Sequence, residues 1–485
     1  MNGIFRRIVS CAAACVIACS AGAVSAFADD DWQELDQTEF TQAMGLGWNL
    51  GNQFEAVSGS TPGETNWGNP VVTEDLIKMV KDAGFTSIRV PVSYLSKIGD
   101  GPDYKVEEEW LDRVAEVVDY CVDNDLYVII NMHGDGYHTI SGGWLFCDAE
   151  KDEQTEIKEK YKAVWTQIAE RFKDYDEHLV FESMNEEFNN TYDDPPSEDY
   201  ANINDYNQIF TDAVRSTGGN NAKRWLLIPG WNTSIDYTAG DYGFELPDDS
   251  KCEADGSRIA VSVHYYDPYG FVLDEGSRSR TRWGEYAKTK NKDNWGQEDY
   301  LEEQFNRLYE KFVSQGYPVI IGEFGAVDKT ARDPSNNEYR RYWCEYVVKT
   351  AKAAGCIPVY WDNGWNGDNG LAVFDRSSLT VTQQDIIDGM IRAISSDEDY
   401  EIPAPAEITE DSASSAAESA VTDESSETAA QEKSEPEGTT VSSENSDEVS
   451  ESDSESGIGT AEIIIIIAAV AAAAIVVVIA VKKKK

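Results

Sequence analysis

Eight short apolar runs, each separated from the next by a longer stretch, constrain this 485-residue chain more than any other feature. They are MGLGWNLGN from Met44, TSIRVPVS from Thr86, LYVIINMH from Leu126 and LVFESMNE from Leu179, then RWLLIPGW from Arg224, RIAVSVHYY from Arg258, YPVIIGEFG from Tyr317 and CIPVYWDNG from Cys356. Most gaps hold an amphipathic stretch of helical length, such as TEDLIKMVKDAGF, EEWLDRVAEVVDYCVDND, YKAVWTQIAERFKDY and YRRYWCEYVVKTAKAAG. Apolar residues at three- and four-residue spacing give each of these one buried face. Strands that are apolar almost throughout belong to parallel sheets covered by helices. Eight such units predict an α/β fold, a (β/α)8 TIM barrel. An open doubly wound sheet is the alternative, with GLGWNLG (Gly45 to Gly51) as its best support, although the spacing is wrong for a dinucleotide loop and Trp48 would block a pyrophosphate.

The two ends read differently. Residues 1–28 have the form of a secretory signal: Arg6 and Arg7, an apolar run from Ile8, and a small-x-small site at Ala26-Phe27-Ala28. Acylation at Cys19 is the rival reading. The folded domain is expected over 29–395, followed at 396–461 by a disordered spacer dominated by Ser, Glu, Asp, Ala and Thr, whose self-repulsion extends it. Residues 462–481 read as a transmembrane helix, uncharged from Ile463 to Val481, with Lys482 to Lys485 left on the cytoplasmic side. The chain is therefore expected to be exported and held on the outer face of the cell membrane of a Gram-positive-like bacterium, since no LPxTG wall-sorting signal is present. The spacer supplies a large share of the net charge of -49, which argues against a nucleic-acid partner. Of eight cysteines, five lie outside the signal, scattered and odd in number, so no disulfide framework and no zinc spacing is expected.

Chemistry in such a barrel sits where strands end and loops begin. Those ends carry Asn49, Asn52, Arg89, His133, Asn185, Glu186, Trp231, Asn232, His264, Tyr266, Glu323, Trp361, Asp362 and Asn363. Burying so many polar groups is costly unless they partner one another, so they are expected to converge. Glu186 on the fourth strand and Glu323 on the seventh are paired carboxylates suited to glycosidic-bond hydrolysis, one donating a proton and one attacking. Arg89 and Tyr266 are expected to keep Glu323 charged, and His264 to neighbour Glu186. Glu182, one layer deeper, is expected to be a buried partner of Arg89, and Glu187 to cap or face solvent. Trp67, Trp144, Trp231 and Trp365, in loops on the predicted active face, are candidate sugar-stacking platforms. No GxSxG, HExxH or Walker-type loop appears.

Together GWNLGNQFEA, ETNWGNP, IRVPVS, NMHGD, MNEEF, HYYDP, IGEFG and VYWDNG, in this order from Met44 to Gly364, resemble glycoside hydrolase family 5, in particular its endo-β-1,4-glucanases and xyloglucanases. The resemblance implies retention of configuration, with Glu186 as acid/base and Glu323 as nucleophile. It also implies Arg89, His133, Asn185, His264 and Tyr266 as the supporting shell, Asn185 on the sugar 2-hydroxyl, and Trp361 as the stacking floor. Asn49, Trp67, Trp144, Trp231 and Asn363 complete the expected substrate-binding set. The expected partner is a β-glucan polysaccharide, bound by a monomer without metal or organic cofactor. A β-mannanase and a catalytically silent carbohydrate-binding surface protein stay open. Two positions depart from the family pattern: Gly134 stands where a second histidine is usual, and Glu187 where proline is common.

Overall fold

The structure, a computed structural model, describes residues 32–407 apart from 289, 290 and 398. Its eight apolar runs form strands β1 (Gly47–Leu50), β2 (Ser87–Val90), β3 (Tyr127–Asn131), β4 (Leu179–Glu182), β5 (Leu226–Ser234), β6 (Ile259–Tyr265), β7 (Val319–Phe324) and β8 (Cys356–Asp362). Each pairs in parallel with the next, and β8 closes on β1, so the sheet is a closed barrel. The open-sheet alternative is thereby excluded. GLGWNLG is β1 and its flanks: a Cβ at Gly47 would lie 2.7 Å from Ser87 Oγ and 2.9 Å from Val359, so that glycine serves strand packing, not phosphate approach.

Helix α1 (Gln37–Met44) precedes the barrel, and α2 (Glu74–Asp82), α3 (Glu108–Asp123), α4 (Lys151–Phe172) and α5 (Ser197–Ser216) follow the first four strands in turn. The later units carry the short α6 (Ile235–Ala239) and α7 (Tyr269–Val272), then α8 (Glu298–Lys311), α9 (Asn336–Ala353) and α10 (Gln384–Ser395). Thr73 starts α2 by accepting a hydrogen bond from the Leu76 amide through its side chain.

Alternation along the strands sorts the core into two shells. Ile88, Val90, Val128, Ile130, Phe181, Ile228, Val261 and Ile321 face the helices. Ile129, Val180, Leu227, Ala260, Ile320, Ile357 and Val359 form a separate cluster, joined by Phe40 and Met44 of α1 and by Trp225. Phe40 stacks on Trp225 at 4.7 Å, so α1 plugs one end of the barrel with apolar rings. Continuing the inward parity toward the strands' C-terminal ends gives Arg89, Asn131, Glu182, Ser262 and His264. The interior is thus apolar at the foot and polar at the mouth, which is what sets the site.

The chain stays on the barrel beyond 395. Lys349 Nζ donates to the Tyr400 carbonyl (2.6 Å), Arg341 donates to the Pro403 carbonyl (2.9 Å), and Arg282 pairs with Glu407 (2.7 Å). Tyr400, expected within a spacer, hydrogen-bonds the buried Glu345 of α9. The segment 396–407 is therefore a strap on α9, because it carries the aromatic, proline and acidic groups that complement that helix. The expected signal peptide, the remainder of the spacer and the 462–481 helix lie outside the described residues; among the described ones, no helix is long and apolar enough to cross a membrane. The five described cysteines are unpaired.

Candidate active site

Strand register brings the polar ends together. Arg89 lies beside Asn49 across β1 and β2, Asn131 beside Glu182 across β3 and β4, and His264 beside Glu323 across β6 and β7. The register shifts between Val263 and His264, and again between Pro358 and Tyr360, so bulges re-aim the last residues of three neighbouring strands at the mouth.

Arg89 is the hub, and it is fully buried. Its Nε donates to Glu182 (2.7 Å), Nη1 to Asn49 (3.0 Å) and to Glu323 Oε1 (2.9 Å), and Nη2 to Asn185 Oδ1 (2.7 Å). Glu182 also accepts from Asn131 (3.0 Å) and Ser262 (2.7 Å), so this deeper carboxylate is satisfied on both oxygens and anchors Arg89 as anticipated. Asn131 and Ser262 were not among the expected site residues; their signal was the inward parity of β3 and β6.

Glu323 and Glu186 differ in surroundings. Glu323 is buried: Oε1 takes the Arg89 bond, and Oε2 accepts from the Tyr266 hydroxyl (3.1 Å) and lies 3.6 Å from His264 Nδ1. Burial pushes its carboxyl above the ordinary pKa, while the charges of His264 and Arg89 pull it back. Tyr266, itself held well above ordinary tyrosine by burial and by Glu323, can only donate. Every neighbour bonded to Glu323 is thus a donor, and these bonds favour its charged form against the burial that opposes it. Glu186 is half-exposed, with Oε1 2.7 Å from His264 Nδ1 and 3.5 Å from the Thr233 hydroxyl. His264 Nε2 has no partner among the described residues, which leaves Nδ1 as the engaged ring atom. A carboxylate oxygen of Glu186 and one of Glu323 lie within 4.8 Å of each other.

His133 sits between Asn131 and Asn185, each 3.3 Å away, and burial with the nearby Arg89 charge keeps it neutral. Trp361 is half-buried and stacks on His133 with 10° between the planes and 5.8 Å between centroids. The indole is therefore fixed as a flat wall against His133.

Other expected binding residues are placed differently. Trp231 is buried against Tyr200 of α5: it shares the parity of the inward Leu227, but the register of β5 shifts between Pro229 and Ser234, and the indole joins the outer core and not the cleft. Asn49 is also buried: its amide spans the Gly322 carbonyl (2.8 Å) and Arg89, so it holds the hub and has no surface for a sugar. Asn363 uses its side-chain oxygen to accept from the Trp365 and Leu371 amides, which shapes the loop after β8. Trp67 donates to the Val57 carbonyl (3.0 Å) and Trp144 to Asp135 (2.7 Å), tying each half-buried indole to its loop. Trp365 is exposed. Glu187 does not face solvent: β4 ends at Glu182, so strand alternation no longer applies, and the side chain folds under Gly136 with Oε1 buried and unpartnered. Burial, with Asp135 and Glu186 nearby, holds its carboxyl well above the ordinary range. Tyr137, which the sequence did not single out, receives a 2.7 Å hydrogen bond from Asn185.

The description "Cellulase (glycosyl hydrolase family 5)" matches residues 50–367. The chain belongs to this family. An endoglucanase A of Paenibacillus barcinonensis is 52% identical over 369 residues, covering 75% of this chain and 92% of that protein. Among solved structures, a family 5 xyloglucanase from Paenibacillus pabuli is 54% identical with a TM-score of 0.72, covering 73% of this chain and all of that one (100%). A broad specificity endoglucanase from Bacteroides salanitronis is 38% identical with a TM-score of 0.70, covering 76% of this chain and 98% of that one. As a family 5 member, the chain is a glycoside hydrolase of endoglucanase-like type.

Proposed function

We propose that this glycoside hydrolase cleaves β-1,4-linked glucan internally, by double displacement through Glu186 and Glu323. The observation that carries this is the carboxylate pair, two oxygens within 4.8 Å of each other and unlike in environment. Inverting enzymes separate their carboxyl groups by about 6.5–9.5 Å to admit a water, whereas retaining enzymes hold them about 5–5.5 Å apart. Glu323, ionised by its ring of donors, attacks the anomeric carbon and forms a glycosyl ester. Glu186, at the open side, gives its proton to the leaving oxygen, then takes one from the water that hydrolyses the ester. Arg89 and Tyr266 orient the nucleophile without contributing a proton, and His264 couples the two carboxyls. Trp361 offers a flat face to the ring being cleaved. The names of the relatives, endoglucanase and xyloglucanase, favour glucan backbones as substrate.

A panel of soluble polysaccharides tests this reading. Reducing ends released from β-glucan or xyloglucan, and abolished by Glu323→Gln, agree with it. No release from any β-glucan or β-mannan would leave only carbohydrate binding.

We infer further that the enzyme is exported and tethered by residues 462–481, with the acidic spacer extending it toward an insoluble polymer. The uncharged run with its four terminal lysines supports this. Protease shaving of intact cells should release an active domain; a domain that stays protected would contradict the orientation.

A further inference from the structure

The loop after β3 carries one polar atom that the double displacement leaves unused. The amide of Asn185 is fixed in one orientation, since its oxygen accepts from Arg89 (2.7 Å) and a flipped amide would set donor against donor. Its nitrogen has two hydrogens and donates to the Tyr137 hydroxyl at 2.7 Å, while His133 Nε2 lies 3.3 Å away and accepts only in the tautomer that carries its proton on Nδ1. A sugar hydroxyl arriving at Asn185 therefore meets an amide whose shorter bond is already committed to Tyr137. The tyrosine oxygen accepts that bond, and its own proton goes to no acceptor among the described residues. Burial and the charges of Glu186, Glu323 and Glu187 hold the phenol well above ordinary tyrosine, so the proton is present at any working pH.

The hydroxyl is positioned from several sides. Asp135 clamps the loop by accepting from the Tyr94 and Leu95 amides, both at 2.8 Å, and from Trp144. A Cβ at Gly134 would fall 2.5 Å from Ser93 Oγ, which already accepts from the Gly134 amide, so no histidine fits there with this backbone. A Cβ at Gly136 would fall 1.5 Å from the Glu187 carboxylate, which packs the loop from below. The Tyr137 ring meets His133 edge-on at 6.2 Å. The two departures from the family pattern, Gly134 and Glu187, thus press one loop into the shape that presents Tyr137.

We propose that Tyr137 is a substrate-binding residue, its phenol donating a hydrogen bond to the 2-hydroxyl of the sugar ring being cleaved. This rests on the two-glutamate reading, which sets the ring being cleaved between Glu186 and Glu323, and on the expectation that Asn185, next to Glu186 in the chain, meets that hydroxyl. The site then engages that hydroxyl with a neutral donor relayed from Asn185, and ultimately from Arg89.

Tyr137→Phe keeps the ring and removes the donor. On a chromogenic aryl β-cellotrioside, kcat/KM should fall about 10- to 100-fold, the cost of one buried hydrogen bond lost. On the same glycoside lacking the 2-hydroxyl at the cleaved ring, wild type and variant should be equal. An equal fall on both substrates would assign Tyr137 to holding Asn185 and overturn the proposal, as would no fall on the first. A wild type that cleaves neither compound nor any soluble glucan would count against the two-glutamate reading instead, so the failures are distinguishable. Unchanged thermal unfolding of the variant would show that the comparison is made between folded proteins.

Discussion

At the scale of single residues, the proposed double displacement gives two chemically identical side chains opposite duties. In it, Glu186 at the rim supplies a proton that only poor leaving groups need. Glu186→Ala should therefore lose about 10²- to 10⁴-fold on polymer, yet lose far less in the glycosylation of a dinitrophenyl glycoside, measured by burst kinetics. An equal loss on both would place the proton elsewhere. Glu187 gives a second test, on stability. Its carboxyl is held well above its ordinary value in the fold, so the native chain keeps a proton that the unfolded chain has lost. Stability then falls as pH rises from the ordinary carboxyl value toward the raised one. Glu55 and Asp267, each pushed up to about 7 by burial, add to the same fall. Glu187→Gln removes one contribution only, so its unfolding temperature should gain on wild type as pH rises above the ordinary carboxyl value, and the gain should vanish in acid. The sequence misplaces Glu187 because the rule of two ends with the strand; the chain turns after Glu182, and only packing shows where the next side chains go. Trp231 fails for a related reason. It lies on a strand, but the register shift between Pro229 and Ser234 breaks its parity with the inward Leu227, and it packs on Tyr200.

At the scale of elements, the strands and helices are legible because burial on both faces forces an unbroken apolar run, while one-sided burial forces a period near four. Part of the hub also follows from parity, since Arg89, Glu182 and His264 lie on the inward side of their strands; Glu323 shares the parity of the outward Ile321 and reaches the mouth through the register shift beside it. Loops carry no such period, which is why Tyr137 goes unseen. The strap is an element that composition hides. Its Asp and Glu content resembles that of residues 408–461, yet Tyr400 and Glu407 find Glu345, Arg282 and Tyr339. A fragment ending at 407 should be more stable in urea than one ending at 395 by about 1–3 kcal/mol, the worth of a hydrogen bond to a charged group. Equal midpoints would show that the strap rests on α9 without holding it.

At the scale of the whole molecule, one gradient organises function: apolar side chains at the barrel foot, a buried ionic hub above them, and two carboxyls at the mouth. The hub is expensive to bury and is retained as a unit, since breaking a buried pair by removing one partner costs about 3–5 kcal/mol. In the proposed mechanism its return is a nucleophile, Glu323, whose charge is favoured by the donors around it. That claim, on which the rest depends, can be read directly. Incubation with dinitrophenyl 2-deoxy-2-fluoro-β-cellobioside slows breakdown of the glycosyl ester enough for peptide mass mapping. A stoichiometric fluorocellobiosyl adduct on Glu323, absent in Glu323→Gln, is the predicted result; an adduct on Glu186, or rapid turnover by single displacement with inverted product, would contradict it.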